Sequence, residues 1–196
     1  MDDFKGKVER LLRCRQPASG ASLLVPSAVL MPFFEKDGQI HLLFTRRTRH
    51  VAHHKSQVSF PGGARDRGDA TLLDTALRES AEEVGLDPHA VEILGVLNDV
   101  PTIASPYVIT PYVGFVGSLP KLSLCREEVD HIIEVPLDTL LDDRYPRDEC
   151  LEVEGIPRKV MAYRHGEDVI WGATARIVKQ FVDILGPGLS ARSLHQ

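Results

Sequence analysis

Three glutamates, Glu79, Glu82 and Glu83, crowd one short segment, Arg78-Glu79-Ser80-Ala81-Glu82-Glu83. On a helix turning ~100° per residue they fall within an arc of ~100°, beside an apolar stripe of Leu73, Leu77, Ala81 and Val84. Like charges at i,i+3 and i,i+4 cost about 0.2–0.5 kcal/mol per pair. Such a cluster therefore needs full solvation or a compensating cation. A bare E-x-x-E-E run is ordinarily a solvated acidic face, but here a Pro61-Gly62-Gly63 turn precedes the helix. Glycine backbone can approach a ligand closely, and a Gly63 carbonyl adds an oxygen donor. Oxygen donors of this kind suit a hard ion such as Mg2+, which takes a few carboxylates and completes its octahedron with phosphate and water. Arg78, one turn before Glu82, can orient a carboxylate.

The elements that must position this segment follow from local signals. Gln57 to Phe60 read as a short strand ended by Pro61-Gly62-Gly63. A helix over 70–84 starts from a cap at Asp69 or Thr71 and leaves through Gly85. Upstream, a helix over 4–14 precedes two apolar runs, 22–34 and 39–45, joined as a hairpin at Asp37-Gly38. A basic loop from Arg46 to Lys55 leads to the short strand. Downstream, 90–97, 107–117, 149–154, 158–163 and 168–171 are strand-like, and Ala173 to Leu185 forms a last helix. The expected class is α/β, a mixed sheet with helices on both faces. Phe60 and Trp171 are expected in the core rather than stacked on a base, and Ser105 and Tyr107 beside a cleft.

The glutamate segment resembles the Nudix box, whose pattern is G-x5-E-x7-R-E-U-x-E-E-x-G-U with U aliphatic. Gly63, Arg78, Glu79, Glu82, Glu83, Gly85 and Leu86 occupy pattern positions. Asp69 stands where the family has its first glutamate, one extra residue separates it from Arg78, and Ser80 replaces an aliphatic residue. The upstream stretch Leu43-Phe44-Thr45-Arg46-Arg47-Thr48, then Val51 to Phe60, resembles the motif L-L-T-x-R-S and L-x-x-H-x-G-Q-V-x-F-P-G-G of coenzyme A pyrophosphatases. Arg47, His53, Gln57, Val58, Phe60, Pro61, Gly62 and Gly63 match, and Ser56 replaces a glycine. The likeness continues at Thr102–Val113, Glu128-Val129, Glu134–Leu141 and Asp168–Arg176.

That resemblance implies a Nudix-type α/β/α sandwich with a mixed β-sheet and a catalytic strand-loop-helix motif. It implies metal-dependent hydrolysis of the pyrophosphate of coenzyme A or its derivatives, giving 3',5'-ADP and 4'-phosphopantetheine. Mg2+ or Mn2+ would be held by Glu79, Glu82, Glu83 and the Gly63 carbonyl, with Arg78 orienting a carboxylate. A box glutamate or Glu128 on a later loop would accept the proton of the attacking water. Arg46, Arg47, Arg49, His53 and Lys55 are the substrate-binding candidates, the cations being suited to phosphate, against the alternative of a solvated basic loop. An ADP-ribose or dinucleotide pyrophosphatase and a non-catalytic nucleotide sensor are the alternative functions.

Composition sets the outer bounds. The 196 residues, 43% hydrophobic and 26% charged, fit a soluble globular protein. The organisation expected is a leading helix and linker at 1–21, one hydrolase domain at 22–185 and a flexible tail at 186–196. A net charge of −5 disfavours a broad nucleic-acid surface, leaving a small-molecule nucleotide as partner. Cys14, Cys125 and Cys150 form no C-x-x-C pair, which suggests neither disulfides nor a zinc knuckle. With no signal-peptide core and no apolar stretch approaching ~18 residues, a cytoplasmic protein is expected. A homodimer is compatible with the sequence.

Overall fold

A computed structural model describes residues 2–13, 15, 23–48, 57–103, 105–142, 144–153 and 155–186. Three substrate-binding candidates, Arg49, His53 and Lys55, lie outside the described residues, as do Cys14 and the tail from 187.

Helix α1 (Asp2–Leu12) leads into β1 (Val25–Lys36) and β2 (Gln39–Arg47), an antiparallel hairpin closed by Asp37 and Gly38 at φ 52° and 75°. Positive φ at both central residues is the turn geometry expected of Asp-Gly. The hairpin runs two residues further than its apolar run predicts, so Arg46 and Arg47 belong to a strand, not to a loop.

Short strands β3 (Val58–Ser59) and β4 (Gly62–Ala64) precede helix α2 (Leu72–Val84). Strands β5 (Glu92–Val96), β6 (Val100–Pro101), β7 (Tyr107–Phe115) and β8 (Val129–Pro136) complete a mixed sheet whose path runs β3-β2-β1-β7-β5, with β8 on β2. The parallel pairing is β1 with β7, from Val25↔Tyr107 to Phe33↔Phe115. Strand β8 is absent from the sequence reading because its apolar residues Ile132 and Ile133 are adjacent, which blurs a period of two. After the short helix α3 (Leu137–Leu140), β9 (Arg147–Val153), β10 (Ile156–His165) and β11 (Asp168–Trp171) form a separate antiparallel sheet of their own. Helix α4 (Gly172–Leu185) ends the described chain.

The two faces of the main sheet bury different side chains, which defines an α/β/α sandwich. On one face Phe33, Leu42, Phe44 and Phe60 pack with Phe4, Val8 and Leu12 of α1 and Phe181 of α4. On the other, Ala28, Leu30, Phe34 and Leu43 pack with Ala76 and Val84 of α2. Alternation along β1 and β2 sends successive residues to opposite sides, so each strand serves both layers. Helix α1 is thus docked onto the body. Among the described residues, no helix is long and apolar enough to cross a membrane.

Because Leu12 is 1% exposed against the larger cluster, Leu12→Ala should cost about 2–5 kcal/mol in equilibrium denaturation. A cost below about 1 kcal/mol would contradict the docking of α1.

Candidate active site

The geometry begins where β1 divides. Its C-terminal half pairs with β2, from Phe33↔Leu42 onward, while its N-terminal half pairs with β4 through Ser27↔Ala64, Ala28↔Gly63 and Val29↔Gly62. Strand β4 therefore enters beside β1 and presents the two glycines to α2. Gly62 has φ 152°, and a Cβ there would lie 2.3 Å from the Ala28 carbonyl oxygen, so glycine is required by its backbone neighbours. At Gly63 a Cβ would meet the Glu79 carboxylate, 2.6 Å from Oε1. The helix carboxylate occupies the room that the missing side chain leaves.

Thr71, not Asp69, caps α2. Its Oγ1 accepts from the Asp74 N–H at 3.2 Å and the Asp74 carboxylate accepts from the Thr71 N–H at 2.8 Å, a reciprocal capping box. The buried residues of α2 are Thr75, Ala76, Ser80, Glu83 and Val84. This face is rotated from the stripe read in the sequence, because Ser80 goes inward. Its hydroxyl donates to the Ala76 carbonyl at 2.7 Å, so burying it leaves no unsatisfied group. Turning Ser80 inward also carries Glu83 inward.

Glu83 is 3% exposed. Its Oε1 accepts from Arg47 at 3.3 Å and its Oε2 from the Gly62 N–H at 3.4 Å, both long bonds. Burial pushes its carboxyl up to about 7, opposed by Arg47 and the Gly62 N–H and reinforced by the charges of Glu79 and Glu128. Burial also raises Glu79, with the Arg78 guanidinium pulling the other way. Glu82 is the exposed member of the trio, its side chain 61% accessible.

Arg78 ties these groups to the preceding loop. It donates to both oxygens of Asp69 at 2.9 Å, to Glu79 at 2.9 Å and to Glu82 at 3.0 Å. The Arg78 bonds hold Asp69 well below the usual carboxylate range, and Asp69 also accepts from Thr75 Oγ1 at 2.8 Å. Asp69 is therefore the anchor of Arg78, a role the sequence reading did not give it. Its signal was an acid nine residues ahead of the arginine, obscured by the extra residue in the box.

Arg47 reaches Glu83 from β2 and lies 3.6 Å from Glu128 on the approach to β8. This brings Glu128, which lies beyond the helix trio in sequence, into one site with it; the Coulombic influence of Glu128 on both Glu79 and Glu83 reflects that proximity. Arg46 goes the other way, to Asp168 of β11 at 2.7 Å. Ser105 and Tyr107 are engaged by Thr102 within their own turn.

Among the described residues no group of three or more His, Cys, Asp or Glu side chains is arranged to hold a metal by itself. The donor chemistry nevertheless fits Mg2+ or Mn2+, because such ions commonly take one or two carboxylates and leave the remaining positions to substrate and water. Glu79 against Gly63 and the buried Glu83 could supply that pair.

A carboxylate helix set on a glycine strand of an α/β/α sandwich is an arrangement suited to holding a divalent ion against a phosphoanhydride. The NUDIX domain family model matches residues 24–152. A Nudix hydrolase NudL of Enterobacter sp. (strain 638), itself uncharacterized, is 34% identical over 190 residues, 95% of each chain. The corresponding Klebsiella pneumoniae (strain 342) protein is 36% identical over 188 residues, again 95% of each. In fold, a MutT/nudix family protein from Enterococcus faecalis matches with TM-score 0.55 and 17% identity, covering 100% of this chain and 80% of that one. The chain belongs to the Nudix family, and it is a pyrophosphohydrolase.

Two variants separate the roles of the glycines. Gly62→Ala forces backbone atoms apart and should lower stability by about 2 kcal/mol or more. Gly63→Ala meets the tip of the Glu79 side chain rather than backbone, so it should melt nearer the parent temperature than Gly62→Ala while losing turnover. Equal melting losses would remove the distinction.

With Glu83 raised from 4.5 to about 7 in the folded protein, the native state binds the extra proton, so metal-free protein should gain stability as pH falls from about 7 towards 4.5. Glu83→Gln should stabilise the chelator-treated protein at pH 8 by on the order of 1–3 kcal/mol and flatten this dependence. Thermal unfolding at pH 5 and 8 decides it; destabilisation at pH 8 would contradict the burial cost.

Proposed function

We propose that this pyrophosphohydrolase cleaves coenzyme A or a derivative of it, giving 3',5'-ADP and 4'-phosphopantetheine. The observation that carries the reading is the position of Arg47, the arginine of the coenzyme A-type upstream motif, between the buried Glu83 and Glu128. The motif and the Nudix carboxylates thereby form one constellation.

In this mechanism Glu79, Glu83 and the Gly63 carbonyl would hold the divalent ion, with Glu82 contributing from the exposed rim. When bound, Mg2+ or Mn2+ neutralises charge on the phosphoryl oxygens and acidifies a water. Arg78, anchored by Asp69, fixes the carboxylates of Glu79 and Glu82, so little reorganisation is needed on binding. Glu128, half-exposed and facing the same site, takes the proton of the attacking water. Arg47 is placed to neutralise the diphosphate, with Arg49, His53 and Lys55 adding contacts to the substrate phosphates. Arg46, bound to Asp168, supports the substrate from the opposite side of β2. The reading is of a cytoplasmic enzyme with a small nucleotide as substrate.

Incubation with Mg2+ or Mn2+ and a panel of coenzyme A, its disulfide, ADP-ribose, NADH and a dinucleoside polyphosphate, with products identified by mass spectrometry, tests this. The expected products are 3',5'-ADP and 4'-phosphopantetheine; preferential cleavage of ADP-ribose would replace the substrate assignment. Chelation should abolish turnover reversibly, and Glu83→Gln should lower kcat by about 100-fold or more in a folded protein.

A further inference from the structure

A cleft of about 210 Å³ lies not over the carboxylates but on the opposite face of the main sheet. Trp171, Val58 and Val169 provide its apolar lining, Arg46 its cationic wall, and Glu152 and Glu167 its acceptors. Trp171 is half-buried there, whereas Phe60 is 2% exposed and stacked on Phe44 at 4.5 Å between ring centres. Of the two aromatic residues expected in the core, Phe60 is in it and Trp171 lines an opening.

The cleft and the carboxylates are connected through adjacent residues of β2. Arg46 and Val58 are paired across β2 and β3. The next residue after Arg46 is Arg47, which touches Glu83, and Val58 precedes the Gly62-Gly63 strand by four residues. Strand β3 is only two residues long and ends the sheet's main path. The wall is also held in place: Arg46 is fixed by Asp168 at 2.7 Å, and Thr174, three residues beyond Trp171, donates to the Val58 carbonyl at 3.2 Å.

We infer that this cleft binds the purine base of the nucleotide substrate, with Trp171 as the stacking surface and specificity-determining residue. Its volume is below the roughly 300–1,000 Å³ of pockets that enclose a whole drug-sized ligand, which suits a single ring system. An indole and a guanidinium offer flat faces to a heteroaromatic ring, the valines exclude water, and carboxylates accept from an exocyclic amino group. A phosphate is disfavoured by Glu152 and Glu167, so the charged part of the substrate stays on the α2 face. The inference rests on the nucleotide reading of the substrate but not on coenzyme A in particular.

Trp171 is the sole tryptophan of the chain, so its fluorescence reports the cleft directly. Titrating the whole protein and its Glu83→Gln variant, both without metal, with AMP and separately with 4'-phosphopantetheine should give saturable quenching by AMP in both proteins and none by 4'-phosphopantetheine. Absence of an AMP response, or a response to 4'-phosphopantetheine instead, overturns the assignment. In kinetics Trp171→Leu should raise KM about tenfold at unchanged kcat, and Trp171→Phe should restore most of the loss, as stacking requires. An unchanged KM, or equal losses in both variants, counts against stacking. If AMP binds but coenzyme A is not cleaved, the substrate assignment fails alone; if coenzyme A is cleaved with Trp171 silent to AMP, the base cleft fails alone.

Discussion

Holding several carboxylates close together in a site that partly excludes water is the constraint on which this structure turns. Glu83 at 3% exposure is the extreme case. A buried carboxylate whose hydrogen bonds among the described residues, from Arg47 and the Gly62 N–H, are both long is costly for the folded chain, and its proton affinity rises accordingly. The same shortage of compensation makes it a strong potential ligand for a cation. Stability is given up locally at a position where a bound cation could return it, a common trade at active sites.

Two arginines handle the remaining charge in different ways. Arg78 is committed to the protein, with Asp69 on one side of its guanidinium and Glu79 and Glu82 on another. Its fork geometry turns a set of repelling glutamates into a preorganised array, something a lysine point charge would do less well. Arg47 is held more loosely, at 3.3 Å from Glu83 and 3.6 Å from Glu128, both beyond the optimum for a charge-assisted bond. It is the arginine with more to gain from a phosphate.

The main sheet makes this possible by dividing labour along single strands. Strand β1 gives one half to β2 and the other to β4, which opens the place where Gly62 and Gly63 meet α2. Strand β2 sends Arg47 to the carboxylates and Arg46 to β11. One strand thus links the hydrolytic face to the small second sheet, whose Asp168 and Trp171 stand on the other side.

Much of the chemistry could be read from the chain alone, because it depends on short-range spacing. The three glutamates, Arg78 and the glycine pair lie within a segment whose helical period and turn chemistry set their local geometry. The hairpin at Asp37-Gly38 and the boundaries of α2 were legible for the same reason. Tertiary structure decided what depends on neighbours distant in sequence. Ser80 turned inward because Ala76 could satisfy its hydroxyl, and this took Glu83 out of water. Asp69 became the anchor of Arg78 once the loop folded back across nine residues. Strand β8 formed because β2 offered it a partner, not because its own pattern alternates. Adjacent arginines that share a charge and a basic sequence were parted by the pleat, since successive strand residues face opposite sides. Local spacing chose the chemical groups; long-range packing determined which of them would be buried, paired or left facing a ligand.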